Sequence, residues 1–174
     1  MTPDAAALRA FRRSLSLPPE RIFDDEEVQS KYGKDWSRID GYQAQLVIKP
    51  ESTQEVQDVL QHAHTHRIPV TPRGLGSGKA GGAIPMFGGV VLSTERLTGI
   101  QSVQPDNLTV TASAGAVTQD VIAAVEGAGF FYPPDPNSLD LCSIGGNVAT
   151  NAGGPRALKY GVTKNYVLEV EVVL

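Results

Sequence analysis

The sequence predicts a fold of mixed helices and strands built around a parallel strand–helix–strand unit. Two short apolar strands, Ala44–Lys49 and Pro69–Pro72, flank a segment whose apolar residues have helical spacing. A unit of about 30 residues of this kind favours parallel pairing of its strands with a right-handed crossover. Further segments have the pattern of strands, at 90–93, 108–113 and 168–174.

Two helix starts lie in the first 43 residues, which we interpret as an N-terminal helical extension. Thr2-Pro3-Asp4 offers a capping hydroxyl, a proline at the first helical position and an acid at the positive end of the helix dipole. Pro18-Pro19 ends this helix, whose apolar residues are Leu8, Phe11 and Leu15. The acidic run 24–27 opens a second helix that ends near Gly33, and a loop follows.

Later helices are also predicted from their first turns. Ser52 and Glu55 have the spacing of a capping box, in which each side chain accepts a hydrogen bond from a free amide of the first turn. One apolar helical face follows, made of Val56, Val59, Leu60 and Ala63. Thr118 is predicted to cap another helix, which ends at the Gly127 and Gly129 pair.

The last segment, 168–174, is predicted to be a half-buried strand because its apolar residues alternate with Glu169 and Glu171. A strand of this kind normally leads into further structure. We therefore expect the chain to be an incomplete domain from a longer protein.

The composition excludes several classes of function. A net charge of −4 and a pI near 5.3 leave no broad basic face for a nucleic acid. The single cysteine, Cys142, excludes an intramolecular disulfide and fits a reducing compartment. No apolar stretch has the length of a membrane span, and the N-terminus lacks a secretory signal, so we expect a cytoplasmic protein.

A glycine-rich segment directly follows the strand at 69–72. Its sequence is Pro72-Arg73-Gly74-Leu75-Gly76-Ser77-Gly78-Lys79, and Gly81-Gly82 follow. Three glycines at alternate positions can adopt positive φ and bring their N–H groups together as a nest for a diphosphate. Arg73 and Lys79 would add positive charge at the rim, and Ser77 a further donor. The alternative is a surface turn without a ligand, because short motifs are weak signals.

Two familiar phosphate loops are excluded. A Walker loop requires glycine at position 73 and Ser or Thr at position 80, where this chain has Arg73 and Ala80. The dinucleotide-binding spacing of a Rossmann domain requires glycine at position 79, where Lys79 stands.

A second segment, 131–161, is rich in glycine, proline and amide side chains. It contains Pro133-Pro134-Asp135-Pro136, then Ile144-Gly145-Gly146-Asn147, then Thr150-Asn151-Ala152-Gly153-Gly154-Pro155-Arg156. We interpret it as a stiff wall with few side chains that approaches a flat ring system and offers it backbone groups. The alternative is a long irregular connection, although such loops are usually functional.

The runs 72–82, 133–136 and 144–161 resemble the FAD-linked oxidases that act on D-2-hydroxy acids. These are the glycolate oxidase D-subunit, D-lactate dehydrogenase and D-2-hydroxyglutarate dehydrogenase type, with an FAD-binding PCMH-type domain like that of vanillyl-alcohol oxidase. The resemblance is collinear from about residue 32 to residue 174. It implies an α+β fold with two lobes, a small parallel β–α–β lobe and a larger mixed sheet, with FAD between them.

The resemblance also implies which residues bind the cofactor. The loop from Arg73 to Gly78 would wrap the diphosphate, and two later segments would contact the flavin and its ribityl chain. Residues 44–174 would form the FAD-binding domain, incomplete at its C-terminal end. The implied cofactor-binding residues are Pro72, Arg73, Gly74, Leu75, Gly76, Ser77, Gly78, Pro134, Asp135, Ile144, Gly145, Gly146, Asn147, Thr150, Asn151, Gly153, Gly154, Tyr160 and Gly161.

No catalytic residue is assigned within this chain. The resemblance implies that a separate substrate domain supplies the catalytic base and, in many members, metal-binding histidines. Two alternatives stay open: a non-catalytic flavin-binding subunit that needs a partner chain, and an enolpyruvyl-glucosamine reductase of the same fold. The 151–161 run argues against the reductase.

Other candidate sites are less favoured. Some relatives attach FAD through a histidine of the diphosphate loop, and because this loop has none we expect non-covalent binding. Cys142 is expected to be a small buried residue rather than an attachment point. His62, His64 and His66 are expected to belong to a solvated helix face rather than to a metal site.

Overall fold

The structure is a computed structural model that describes residues 3–174. Thr2, the predicted capping hydroxyl, lies outside the described residues. Short 3-10 turns occur at Pro19–Arg21, Pro105–Asn107 and Thr163–Tyr166. The α-helices are α1 (Ala5–Ser14), α2 (Glu26–Tyr32), α3 (Thr53–His66), α4 (Thr118–Gly127), α5 (Ile144–Thr150) and α6 (Ala157–Tyr160).

Six strands form two sheets in the described residues. They are β1 (Ile22–Phe23), β2 (Leu46–Ile48), β3 (Val70–Arg73), β4 (Val90–Ser93), β5 (Ile100–Gln104) and β6 (Thr109–Ala112). The first sheet has the order β1-β2-β4-β3, in which β2, β4 and β3 are parallel and β1 is an antiparallel edge. The other sheet is the antiparallel pair β5-β6. The α+β class is confirmed.

The main core lies between the parallel sheet and the helices α1 and α3. Val59 and Ala63 of α3 are buried against β2 and β4, and Phe11 of α1 is fully buried in the same cluster. The predicted apolar face of α3 is therefore the face that packs on the sheet. The N-terminal extension contributes side chains to this core.

The predicted strand–helix–strand unit has the right directions but not the predicted pairing. Strands β2 and β3 are parallel, yet β4 lies between them and pairs with both. Local patterning predicts that a strand forms but does not specify its neighbour, so direct pairing was the wrong inference. Strands β1 and β5 were not predicted.

Two helix starts differ from the prediction. Helix α1 begins after Asp4, whose Oδ1 accepts a hydrogen bond from the N–H of Ala7 at 2.7 Å, so Pro3 precedes the cap. Thr118 is the first residue of α4 rather than its cap. Its hydroxyl is fully buried and donates to the Cys142 carbonyl instead.

The predicted strand at 168–174 is wrong. This segment pairs with no strand of the described residues, and its alternating side chains are exposed rather than half-buried: Leu168, Val170, Val172 and Leu174. Alternation alone does not supply a partner for the backbone hydrogen bonds that define a strand.

Replacing Ser52 by Ala should lower the free energy of unfolding by about 1 kcal/mol. Ser52 is the N-cap of α3, and its Oγ accepts a hydrogen bond from the N–H of Glu55 at 3.2 Å. The return bond of the capping box goes one residue further back, because Glu55 accepts from the N–H of Glu51. Urea denaturation followed by circular dichroism measures the effect. The matched control, Ser16→Ala, replaces an exposed serine and should change stability by less than about 0.5 kcal/mol.

Candidate functional site

The glycine-rich loop leaves β3 at the carboxyl edge of the parallel sheet, where ligands bind in open α/β sheets. No acceptor in residues 3–174 takes a hydrogen bond from the backbone N–H groups of positions 74–78. These residues are half-buried or exposed. Of the three alternating glycines only Gly76 has positive φ, at 81°. The expectation of positive φ at Gly74 and Gly78 was therefore wrong.

Gly74 brings the two glycine-rich segments together. A Cβ at this position would lie 2.6 Å from Ser143 Oγ and 3.6 Å from the Cα of Gly146. Glycine is needed here because the loop approaches the first turn of α5 so closely. Ser77 adds a second link, since its hydroxyl donates to Ser138 Oγ at 3.3 Å. The loop and the second segment thus border one region of the molecule.

The sequence suggested that Arg73 stands at the rim of the loop, but the structure shows its side chain buried. Its side chain is only 9% exposed, and Nη1 donates to the carbonyl of Lys34 at 2.6 Å. The guanidinium lies over the ring of Tyr32, 5.3 Å from its centroid. Burial lowers the pKa of Arg73 below its usual value. Lys79 is exposed, as expected for a rim charge.

Residues 144–150 form helix α5, and not the irregular wall that the sequence suggested. Ser143 caps the helix, and its Oγ accepts from the N–H of Gly146 at 3.3 Å. The amides of Ile144 and Gly145 donate to carbonyls of residues 116 and 114, and that of Asn147 to the Ser143 carbonyl. These N–H groups are therefore not free for a ligand. Helical dihedrals at glycines were not expected because Gly disfavours helices.

Gly145 and Asn147 hold α5 in place. A Cβ at Gly145 would lie 2.9 Å from the carbonyl oxygen of Ala114, which follows β6. Asn147 is buried, and its Nδ2 donates to Thr118 Oγ1 at 2.7 Å. Cys142 is 6% exposed with its Sγ 3.3 Å from the same hydroxyl, so it is buried as predicted. This polar contact joins α5 to α4.

The turn at 152–156 packs directly on the 133–136 segment. Gly154 has φ of 143°, and a side chain there would overlap the carbonyl oxygen of Asp135. The Asp135 carboxylate also pairs with Arg156 Nε at 3.2 Å. Pro134 of the same segment is buried. The predicted flavin-contacting residues of 133–136 and 152–154 are therefore neighbours.

Three further predicted site residues of the second segment are Thr150 and Asn151, at the end of α5, and Tyr160 of α6. Thr150 Oγ1 donates to the Gly146 carbonyl at 2.8 Å, within α5. Asn151 has φ of 50° and accepts a hydrogen bond from the N–H of Lys164 through Oδ1. The ring of Tyr160 packs edge to face on Phe131, with 5.3 Å between centroids.

Sequence reasoning missed a polar cluster at the carboxyl ends of β2 and β4. Glu95 accepts hydrogen bonds from Tyr32 and Ser93, and its Oε1 lies 2.8 Å from Lys49 Nζ. Lys49 also lies over the Tyr32 ring, 4.7 Å from the centroid. The signal that could have found it is position, because Lys49 and Ser93 each stand at the end of a parallel strand.

The pKa values in this cluster are shifted in opposite directions. Burial alone would raise the pKa of Glu95, but hydrogen bonds from Lys49 and Tyr32 outweigh it, so the pKa falls below its usual value. Burial alone would lower the pKa of Lys49, but its bonds to Glu95 and Tyr32 leave that pKa raised. Burial and the Glu95 contact both raise the pKa of Tyr32. The cluster favours a charged Glu95–Lys49 pair beside a neutral Tyr32.

Comparison with protein families matches residues 44–174 to the FAD binding domain family. The chain belongs to this family. FAD is therefore its cofactor, as predicted, and the resemblance stated from the glycine-rich runs is confirmed.

Similar proteins support the same assignment. The chain is 42% identical to the glycolate oxidase subunit GlcD of Bacillus subtilis over 156 residues, which are 90% of this chain and 33% of that protein. It is 36% identical to a D-lactate dehydrogenase of Anaerostipes hadrus, covering 91% of this chain and 33% of that protein. The chain thus spans about a third of the length of the relatives it matches.

A solved structure shares the fold. The 4-ethylphenol oxidase from Gulosibacter chungangensis superimposes with a TM-score of 0.77 at 26% identity, covering 88% of this chain and 31% of that chain.

The free amides of the loop fit the cofactor of an FAD-binding domain. FAD carries a diphosphate, and converging backbone N–H groups form the donor nest that suits one. The N–H groups of 74–78 have no acceptor among the described residues, as a diphosphate site would require. The close contact at Gly74 sets the loop beside α5.

Other expectations concern metals and membranes. His62 Nε2 lies 3.5 Å from Asp58 Oδ1, and His66 packs edge to face on Phe11. Across residues 3–174, no group of three or more His, Cys, Asp and Glu side chains is placed to hold a metal ion. No helix of the described part of the chain is long and apolar enough to cross a membrane.

Proposed function

We propose that this chain is the FAD-binding part of an oxidoreductase that oxidises a D-2-hydroxy acid of the glycolate or D-lactate type. The two relatives named above carry such activities in their names and match about nine-tenths of this chain. The observation that carries the proposal is the row of free amides at 74–78 beside the first turn of α5. Residues 74–78 would hold the diphosphate of FAD, and the bound cofactor would supply the redox chemistry of hydride acceptance from C2 of the substrate.

In the proposed function, this chain binds FAD and another part of the enzyme supplies the catalytic base. Residues 44–174 would bind and orient FAD, and the 1–43 extension would support this domain through the shared core at Phe11. The base that takes the substrate hydroxyl proton would come from a further domain or a partner subunit. We propose non-covalent FAD, because the 72–82 loop contains no histidine, and a cytoplasmic location, because the single cysteine is a buried free thiol.

The 174-residue chain should bind FAD with quenching of flavin fluorescence and should co-elute with it on gel filtration. The reason is that the diphosphate replaces water on the free amides of 74–78. Riboflavin, which has no diphosphate, should bind more weakly. Failure of the chain to retain FAD would contradict cofactor binding by these residues alone.

A substitution in the loop locates the binding site. A Cβ at Gly78 meets no atom within 4 Å, so Gly78→Val should leave the fold intact while its side chain occupies space above the nest. The dissociation constant for FAD should rise at least ten-fold. Gly127→Val is the matched control, because Gly127 is equally open and lies at the end of α4. Equal FAD affinity of both variants would place the cofactor elsewhere.

The substrate class is tested on the holoenzyme that contains this chain. Anaerobic addition of glycolate or D-lactate should bleach the absorbance of oxidised flavin, and L-lactate should not. Failure of every D-2-hydroxy acid in a panel to bleach it would contradict the substrate class without affecting the assignment of FAD.

A further inference from the structure

The segment 32–36 contacts the glycine-rich loop at both of its ends. At the start of the loop, the Lys34 carbonyl accepts a hydrogen bond from Arg73 Nη1 at 2.6 Å. At its end, the Trp36 N–H donates to the Gly78 carbonyl at 3.0 Å. These two contacts come from one short stretch that lies before residue 44, where the match to the FAD binding domain family begins.

Arg73 fills the space beneath the middle of the loop. A side chain at Gly76 would overlap its guanidinium, so the loop lies directly on this group. The guanidinium also lies over the Tyr32 ring as a cation–π partner. The positive φ of Gly76 is therefore supported by a buried, planar side chain.

The supporting segment is itself fixed to the sheet. Tyr32 is 4% exposed, and its hydroxyl donates to Glu95, which pairs with Lys49 at the end of β2. Within the turn that follows Tyr32, Asp35 Oδ1 accepts a hydrogen bond from the N–H of Ser37 at 2.8 Å. The loop is thus tied through this segment to the carboxyl ends of the strands.

A loop of this composition needs such support. Glycine loses more conformational freedom on ordering than any other residue, and that loss opposes binding unless the loop is ordered beforehand. The amides of 74–78 make no hydrogen bond within the described residues, so their own bonding does not order the loop. The contacts that order it include those with Arg73 and with the 32–36 segment, beside the Ser77–Ser138 hydrogen bond and the close approach of Gly74 to Ser143.

We propose that Tyr32, Lys34 and Trp36 form an N-terminal clamp that positions the loop's amides for the FAD diphosphate. Tyr32 and Lys34 act through Arg73, and Trp36 acts through the Gly78 carbonyl. This rests on the proposed binding of FAD at the loop. Arg73 is then a positioning residue rather than a phosphate ligand. Its Nη1 is engaged by Lys34, and only a small part of its side chain reaches solvent.

Two variants test the clamp. Arg73→Lys keeps the charge but loses the planar group that stacks on Tyr32 and reaches Lys34. Trp36→Pro removes the N–H that donates to the Gly78 carbonyl. Trp36 is the second residue of the turn 35–38, a position at which proline is favoured. Arg96→Lys is the control, because Arg96 is exposed and pairs with Glu51 away from the loop.

The first measurement needs no cofactor. Lys79 is exposed in the loop, so trypsin cleavage after it reports loop mobility, and cleavage after the exposed Lys164 is the internal reference. Both clamp variants should raise the rate at Lys79 about ten-fold relative to Lys164, while Arg96→Lys leaves the ratio unchanged. A general loss of folding would raise both rates together. An unchanged ratio in both clamp variants would overturn the clamp.

The second measurement is the dissociation constant for FAD, which should rise about ten-fold in both clamp variants and stay constant in Arg96→Lys. If Arg73 acted only as a charge, Arg73→Lys would bind FAD like the original chain, and the proposal would be overturned. If the original chain binds no FAD, the proposed function fails. The trypsin ratio then still decides whether the clamp orders the loop.

Discussion

Gly154→Ala should destabilise the chain by about 2 to 5 kcal/mol, because two unfavourable effects coincide at this position. Gly154 has φ of 143°, a conformation that side-chain-bearing residues rarely adopt. In addition, a methyl group there would overlap the carbonyl oxygen of Asp135. The substitution therefore forces the 133–136 segment away from the turn at 152–156. Urea denaturation followed by circular dichroism measures the loss.

Gly129→Ala separates the two causes. Gly129 also has positive φ, at 85°, but a Cβ there meets no atom within 4 Å. It should cost only the conformational part, about 1 to 2 kcal/mol. Similar losses in the two variants would show that the contact with Asp135 is absent in solution. A larger loss at Gly154 supports the direct packing of the two segments.

Local signals predicted the starts of several helices. Asp25 and Ser52 cap α2 and α3 by accepting from N–H groups three residues later, within the same short stretch of sequence. Thr118 is also a short polar residue at a helix start, but it is the first residue of α4 rather than its cap. Its hydroxyl is bonded to Cys142 and Asn147, which are 24 and 29 residues away. No local pattern carries that information.

The same distinction explains the candidate site. The spacing of Gly74, Gly76 and Gly78 indicated a phosphate loop after a strand, and the family match confirms FAD as the cofactor of the domain. The orientation of Arg73 was not predictable, because the carbonyl that binds it belongs to Lys34, 39 residues earlier. Likewise, the alternation of apolar and polar residues at 168–174 predicts which side chains share a face, but it does not specify a neighbouring strand.

The compact fit of α5 was hidden by its composition. Gly145 and Gly146 suggested irregular backbone, yet a side chain at Gly145 would collide with Ala114. Glycine is used there for close packing of a helix on the end of β6, not for flexibility. A sequence shows that a glycine is present, and only the tertiary contacts show which of its properties is used.

Glu95→Gln should lower the free energy of unfolding by about 1 to 3 kcal/mol at pH 7, because it leaves Lys49 partly buried beside an uncharged partner. The two side chains are 28% and 14% exposed, so solvent weakens the pair only in part. The pKa of Glu95 is lower in the folded chain than its usual value of 4.5. Its stabilising contribution is therefore present above that value and is lost as the pH falls through the folded pKa.

The difference between the original chain and Glu95→Gln should accordingly shrink as the pH falls from 4.5 through the lower pKa of the folded chain, where the carboxylate becomes protonated in both states. Lys49 behaves in the opposite sense. Its raised pKa gives a contribution that is present below its usual value and is lost only as the pH rises through the folded pKa.

Urea denaturation from pH 3 to pH 8 measures how the contribution of Glu95 changes with pH. Glu126→Gln, an exposed change on α4, should alter stability by less than about 0.5 kcal/mol throughout. If the loss of stability caused by Glu95→Gln is the same at every pH, the charge of Glu95 does not stabilise its contacts with Lys49 and Tyr32.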